Sequence, residues 1–160
     1  MCRHINLRGD VFLSSIAARL AAIDVKSNHI CLEITESVLL NDINAVQKSL
    51  KTLEEMGIGI SIDDFGTGYS SLAYLKKLPL HELKIDKSFV DGIDTEPDDY
   101  AIAKAIIQMA QALGFHVVAE GVETETQLTV LKNLGCDIVQ GYYFHRPLKA
   151  EGFVKLLNNI

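Results

Sequence analysis

The stretch Ile58-Gly59-Ile60-Ser61-Ile62-Asp63-Asp64-Phe65-Gly66-Thr67-Gly68-Tyr69-Ser70-Ser71 holds the transition that decides the fold. Ile58, Ile60 and Ile62 alternate with Gly59, Ser61 and Asp63, the period of a strand with one apolar face. A glycine-bearing turn follows, and Ser70 to Leu78 reads as a short helix ended before Pro79. The same strand-then-helix pattern recurs on both sides. Upstream, Ile30, Leu32 and Ile34 alternate with Cys31, Glu33 and Thr35; Ile43, Val46, Leu50 and Leu53 then take helical spacing, stopped by Gly57. Further upstream, Ile5 to Leu7 ends a strand, and Asp10 caps a helix through Phe12, Ile16, Leu20 and Ile23. Downstream, Leu83 and Ile85 alternate with Lys84 and Asp86, and a helix runs from Pro97 to Leu113 with Gly114 behind it. Phe115, Val117 and Ala119 alternate with His116, Val118 and Glu120. Thr124 and Gln127 then form a capping-box pair for a helix through Leu128, Leu131 and Leu134 to Gly135. Cys136 to Tyr142 reads as a last strand and Glu151 to Asn159 as a closing helix.

Six strands, each followed by a helix, mean an α/β fold on a parallel sheet, either open and doubly wound or closed as a barrel. A complete (β/α)8 barrel takes about 250 residues. The 160 residues here suit one domain of about six βα units. A hydrophobic share of 48% and a charged share of 22% exclude a disordered chain, and a net charge of −6 argues against a nucleic acid polymer as partner. The 3 cysteines (Cys2, Cys31 and Cys136) are odd in number and scattered, which suggests neither a disulfide framework nor a thiolate zinc site. There is no H-E-x-x-H motif, no apolar run near the ~20 residues of a membrane span and no signal-peptide core. The expectation is a cytoplasmic segment without membrane contact.

Ligands of parallel α/β folds bind at the carboxyl ends of the strands. Those ends carry Asn6, Glu33, Asp63-Asp64, Lys84, Glu120 and Gln140. Hard divalent cations take oxygen ligands, so Glu33, Asp63, Asp64 and Glu120 suit two Mg²⁺, with Asn6 adding a carbonyl oxygen. Two such metals can generate hydroxide and stabilise an in-line displacement at phosphorus, and Lys84 could place the nucleophile or offset developing charge. The plainer account has Lys84 snorkelling from a strand edge and Asp86 capping the next turn. Gly59 and Ser61 share the face of Asp63 and leave space beneath it. Gly66 and Gly68 favour a tight turn, and the helix they open favours an anion.

Leu32-Glu33-Ile34-Thr35-Glu36-Ser37, the run Asp63 to Leu72 (D-D-F-G-T-G-Y-S-S-L) and Leu83-Lys84-Ile85-Asp86 resemble the EAL domain family. Ala119-Glu120-Gly121-Val122-Glu123-Thr124, Gln140-Gly141-Tyr142, Phe144 and Pro147 continue the resemblance in the family's order. The resemblance implies an incomplete TIM-type barrel with one antiparallel strand, and a metal-dependent phosphodiesterase that opens cyclic di-GMP to linear pGpG. It makes Asn6, Glu33, Asp63 and Asp64 ligands of Mg²⁺ or Mn²⁺, Glu120 the catalytic carboxylate at the metals or as base, and Lys84 a neighbour of the attacking water. Glu36 would anchor the loop after Asp64; Asp86, Glu123 and Gln140 would complete the lining; Phe144 and Pro147 would lie near a guanine. A homodimer, or a fused sensory or GGDEF domain, are the partners such a domain would bring.

The family's name-giving motif belongs upstream of Asn6, where this sequence has Met1-Cys2-Arg3-His4, and Arg8 stands where the family usually has serine. Residues 1–160 are therefore expected to be the C-terminal two-thirds of an EAL domain, with a weakened metal site, slower hydrolysis and open sheet edges. The readings from other classes are an EAL module that binds nucleotide or a protein partner without catalysis, and an unrelated α/β metal-dependent hydrolase. Asp91, Asp94, Glu96, Asp98 and Asp99 read as a solvated loop and helix start. Cys31 and Cys136 read as small buried residues, and Tyr142 and Tyr143 as core or pocket border.

Overall fold

The computed structural model describes residues 10–22, 25–39, 43–67 and 75–158. Helix α1 (Asp10–Ala22) precedes strand β1 (Cys31–Thr35), a four-residue α2 (Glu36–Leu39) and α3 (Ile43–Glu55). Strands β2 (Gly59–Phe65) and β3 (Glu82–Ile85) follow, then a short α4 (Lys87–Asp91) and the long α5 (Pro97–Leu113). The chain ends with β4 (His116–Ala119), α6 (Glu125–Leu134), β5 (Ile138–Val139) and α7 (Ala150–Leu157). All strand pairs are parallel, in the order β1-β2-β3-β4-β5. Each strand adds beside its predecessor with no reversal of order. A doubly wound sheet reverses at a switch point, so this order selects the barrel type of winding between the two architectures.

Strand alternation separates two faces. Ile34, Ile60, Ile62, Leu83, Ile85, Val117 and Ala119 pack on the helices and are nearly or wholly buried. Val46, Leu50 and Leu53 of α3 cover them at i, i+4, i+7 spacing, as do Ala103, Ile107 and Ala110 of α5. Gly114 and Gly135 close α5 and α6 in the left-handed conformation, and Thr124 with Gln127 makes the expected capping box. The other face carries Glu33, Ser61, Asp63, Glu82 and Lys84, with Glu120 just past the end of β4.

Several expectations change. The strand expected over Cys136 to Tyr142 is only Ile138–Val139. Beyond it, Val122 N–H donates to the Gln140 carbonyl (3.0 Å) and Tyr143 N–H to the Val122 carbonyl (3.0 Å), which folds the chain into a turn. Gly141 lies so close to the Val122 backbone that a Cβ would collide with it. Tyr142 and Tyr143 are exposed, so neither is core, and Cys31 is exposed while Cys136 is half-buried. The strand at Ile5 to Leu7, Ile23 and most of the Ser70 to Leu78 helix lie outside the described residues. No helix among the described residues is long and apolar enough to cross a membrane.

Candidate active site

Period-two alternation brings Glu33 of β1, Asp63 of β2 and Lys84 of β3 to one face, and Glu120 follows β4 beside them. The Lys84 ammonium sits among three carboxylates: 2.8 Å from Glu33 Oε1, 2.5 Å from Glu120 Oε1 and 3.2 Å from Asp63 Oδ1. Only 8% of the Lys84 side chain is exposed, against 54% for Glu33, 25% for Asp63 and 24% for Glu120. Burial alone would lower its pKa, but the contacts to Glu120 and Glu33 outweigh it and hold the group above the ordinary lysine value. Lys84 therefore does not snorkel out. The Asp63 contact is an ion pair without hydrogen-bond alignment, so Asp63 Oδ1 is a buried oxygen lacking a hydrogen bond, as is the nearby Ser61 Oγ.

Asp63 and Asp64 are neighbours that a regular strand would send to opposite faces. Ile62 pairs with Leu83 and Phe65 with Ile85, so β2 carries one residue more than β3 between those points. The extra residue is absorbed where Asp64 takes φ +54. Asp64 lies near Asp86, and its pKa is raised by burial first and then by the charges of Asp63 and Asp86. Asp86 does cap the following turn: its Oδ1 accepts from the Ser88 amide (2.9 Å) and hydroxyl, and this holds its carboxyl below the usual range. Glu36 is 3% exposed and accepts from the Gly66 amide at 3.2 Å, so it reaches the loop after Asp64.

Other expected site residues lie apart from Lys84. Glu123 pairs with Lys87 at 2.9 Å instead of turning to the carboxylate cluster. Gln140 is exposed, with its backbone bonded to Ala119 and Val122. Phe144 ends an exposed turn and Pro147 lies in the exposed segment after it, Phe144 edge-on to Tyr143 with ring centroids 5.2 Å apart. Asn6 lies outside the described residues. Lys87 and the helix α4 that carries it have no counterpart in the sequence reading. The sequence reading reached only the turn that Asp86 caps; the Asp86-x-Ser88 spacing is the signal for the helix start behind it.

Among the described residues, no three His, Cys, Asp or Glu side chains converge as they stand to hold a metal, because Lys84 occupies the space between the carboxylates. The donor chemistry nevertheless fits a hard divalent cation. All the acidic groups offer oxygen, and the buried Asp63 Oδ1 has the Lys84 ion pair but no hydrogen bond.

A family model described as EAL domain matches residues 3–147. The chain belongs to the EAL domain family. This EAL domain is 55% identical over 126 residues to cyclic di-GMP phosphodiesterase NbdA of Pseudomonas aeruginosa, covering 79% of this chain and 16% of that protein. It spans 16% to 24% of the length of curated relatives it matches. A solved structure, the PaMucR phosphodiesterase in complex with c-di-GMP, superposes with TM-score 0.88 at 44% identity, over 92% of this EAL domain and 60% of that chain. The manganese/cyclic di-GMP complex of Klebsiella pneumoniae BlrP1 superposes with TM-score 0.80 at 31% identity, over 87% and 36% of the two chains. The parallel sheet thus belongs to a barrel-like fold whose relatives include nucleotide complexes.

Proposed function

We propose that this protein is a metal-dependent phosphodiesterase that hydrolyses cyclic di-GMP to linear pGpG. The observation that carries the reading is the buried Lys84 ammonium set among Glu33, Asp63 and Glu120 at the carboxyl ends of the strands. The relatives named for cyclic di-GMP supply the nucleotide. Residues 1–160 are read as the C-terminal two-thirds of an EAL domain, in keeping with the 60% share of the PaMucR chain they span. A cytoplasmic location, a homodimer and a fused sensory or GGDEF domain belong to the same reading.

Mg²⁺ or Mn²⁺ would be held by Glu33, Asp63, Asp64 and Glu120, with Asn6. Such an ion lowers the pKa of water and offsets charge on phosphoryl oxygens. Lys84 holds its ammonium beside the position of the attacking water and stabilises charge developing at phosphorus. Glu120 accepts the proton that water loses as its oxygen bonds to phosphorus, and as one ester bond of the ring breaks the departing ribose oxygen takes a proton from solvent and leaves as a hydroxyl. Glu36 holds the loop after Asp64 through the Gly66 amide. Asp86 and Gln140 border the substrate, Glu123 being engaged by Lys87, and Phe144 with Pro147 offers an apolar surface to a guanine.

The test is conversion of cyclic di-GMP to pGpG by the purified chain with Mn²⁺, followed chromatographically beside Glu120→Ala. Turnover in the parent protein and its loss in the variant is the expected result. A folded protein that leaves cyclic di-GMP intact, or a Glu120→Ala variant as active as the parent, refutes the reading.

A further inference from the structure

Glu120 leaves β4 on a loop of irregular backbone, and that loop is held from three sides. On one side the Glu120 amide donates to the Ile85 carbonyl (3.2 Å) at the end of β3. On the second, Val122 donates to Gln140 (3.0 Å) and accepts from Tyr143 (3.0 Å). The third side is Lys87, the first residue of α4.

The Lys87 stem lies directly against Gly121, which takes φ +76, and a Cβ at Gly121 would collide with that stem. The ammonium reaches Glu123 Oε1 at 2.9 Å and Asp91 Oδ1 at 2.5 Å. Glu123 N–H donates to Gln127 Oε1 (2.8 Å), and Gln127 Nε2 donates to the Asp91 carbonyl (3.3 Å). Lys87 thereby closes a ring that joins α4, the loop after β4 and the start of α6. Its side chain is 47% exposed, as is Glu123's, so these pairs contribute little to global stability. Their consequence is orientation.

We propose that Lys87 is a positioning residue for phosphodiester hydrolysis: by clamping Gly121 and Glu123 it fixes where the Glu120 carboxylate stands relative to Lys84 and the reacting phosphate. The proposal rests on the phosphodiesterase reading above. Small misplacements of a catalytic group lower the chemical step far more than substrate binding. Lys87→Met keeps the stem and removes the ammonium. Its kcat for cyclic di-GMP is expected to fall about 10-fold with KM within about 2-fold, and Lys87→Arg to restore most of the rate. Glu123→Gln should show the same loss, and the double variant should be no slower than the worse single one, because both remove one clamp.

An unchanged kcat in Lys87→Met, a loss confined to KM, or strictly multiplicative effects in the double variant overturns the proposal. If Lys87→Met does not fold, Lys87→Arg decides: activity near the parent's supports the clamp and a matching collapse refutes it. If the parent protein leaves cyclic di-GMP intact, the phosphodiesterase reading fails by itself. Amide exchange at Val122 and Glu123 then decides the clamp: about 10-fold faster exchange in Lys87→Met at unchanged global stability supports it, and unchanged exchange overturns it.

Discussion

Lys84→Met removes the one cation among the described residues that stands between Glu33, Asp63 and Glu120, while keeping most of the side-chain volume. Breaking a buried charge pair costs about 3–5 kcal/mol because the partner is left uncompensated. Here Asp63 and Glu120 are about three-quarters covered and Glu33 is half open, so water and rearrangement offset part of that cost. A loss of about 2–3 kcal/mol follows in metal-free buffer. For a chain of this size each kcal/mol lowers the melting temperature by about 2–4 °C, giving a fall of about 4–12 °C.

A divalent cation entering the vacated space should reverse part of that loss. Thermal unfolding in EDTA and in excess MnCl2 therefore separates the effects. The variant should gain more from Mn²⁺ than the parent does, since a ligand at 100 times its Kd stabilises by about 2.7 kcal/mol and the parent must first move its own ammonium aside. Hydrolysis should be lost in both buffers. The partners raise the folded pKa of Lys84, so its stabilisation is fully present below the ordinary lysine value and disappears only as pH rises through the folded value. The stability gap should thus stay constant between pH 6 and 9 (roughly the range below lysine titration). Equal melting temperatures in EDTA, or equal Mn²⁺ shifts, would refute a cation site shared by lysine and metal.

Two further substitutions probe the loop after β2. Gly66→Ala places a Cβ 2.9 Å from the Phe89 ring and 3.2 Å from Ile106 Cδ1 at φ +101, so urea unfolding should show a loss of about 2–3 kcal/mol. Asp64→Asn removes a carboxylate whose folded pKa lies above its unfolded value. That shift takes stability away as pH rises through the folded pKa, so the variant should be at least as stable as the parent at pH 7, should lose that advantage as pH falls below the ordinary aspartate range, and should bind Mn²⁺ more weakly by calorimetry.

Local chemistry explains how much of this architecture was legible in the sequence. Pro97, Gly114, Thr124, Gln127 and Gly135 specify helix ends through contacts within a few residues, and the structure shows α5 and α6 where those residues place them. Period-two alternation likewise places Glu33, Lys84 and Glu120 toward one end of parallel strands from local pattern alone. What stayed hidden depends on partners distant in the chain. Glu36 reads from local pattern as a polar residue after a strand; only the family resemblance pointed to it as an anchor of the loop after Asp64, and its burial depends on Gly66, thirty positions on, donating to it. The two-residue β5 is short because Val122 captures Gln140 and Tyr143. Alternation also gives no hint that an extra residue at Asp64 breaks the register of β2 against β3.

That bulge is what makes the site's charge unusual. It sets a second aspartate beside the first, so the Asp64 charge lies next to a cluster in which Glu33, Asp63 and Glu120 share the Lys84 ammonium. The pKa of Asp64 is raised by burial first, and the charges of Asp63, Asp86 and Glu120 push it the same way. A cyclic dinucleotide brings two more negative charges. One lysine cannot neutralise both the carboxylates and the phosphates at close range, so a substrate of that charge requires added cations before it can approach Glu120. The excess of oxygen ligands over ammonium, more than any single residue, is therefore what the proposed metal-assisted chemistry at phosphorus rests on.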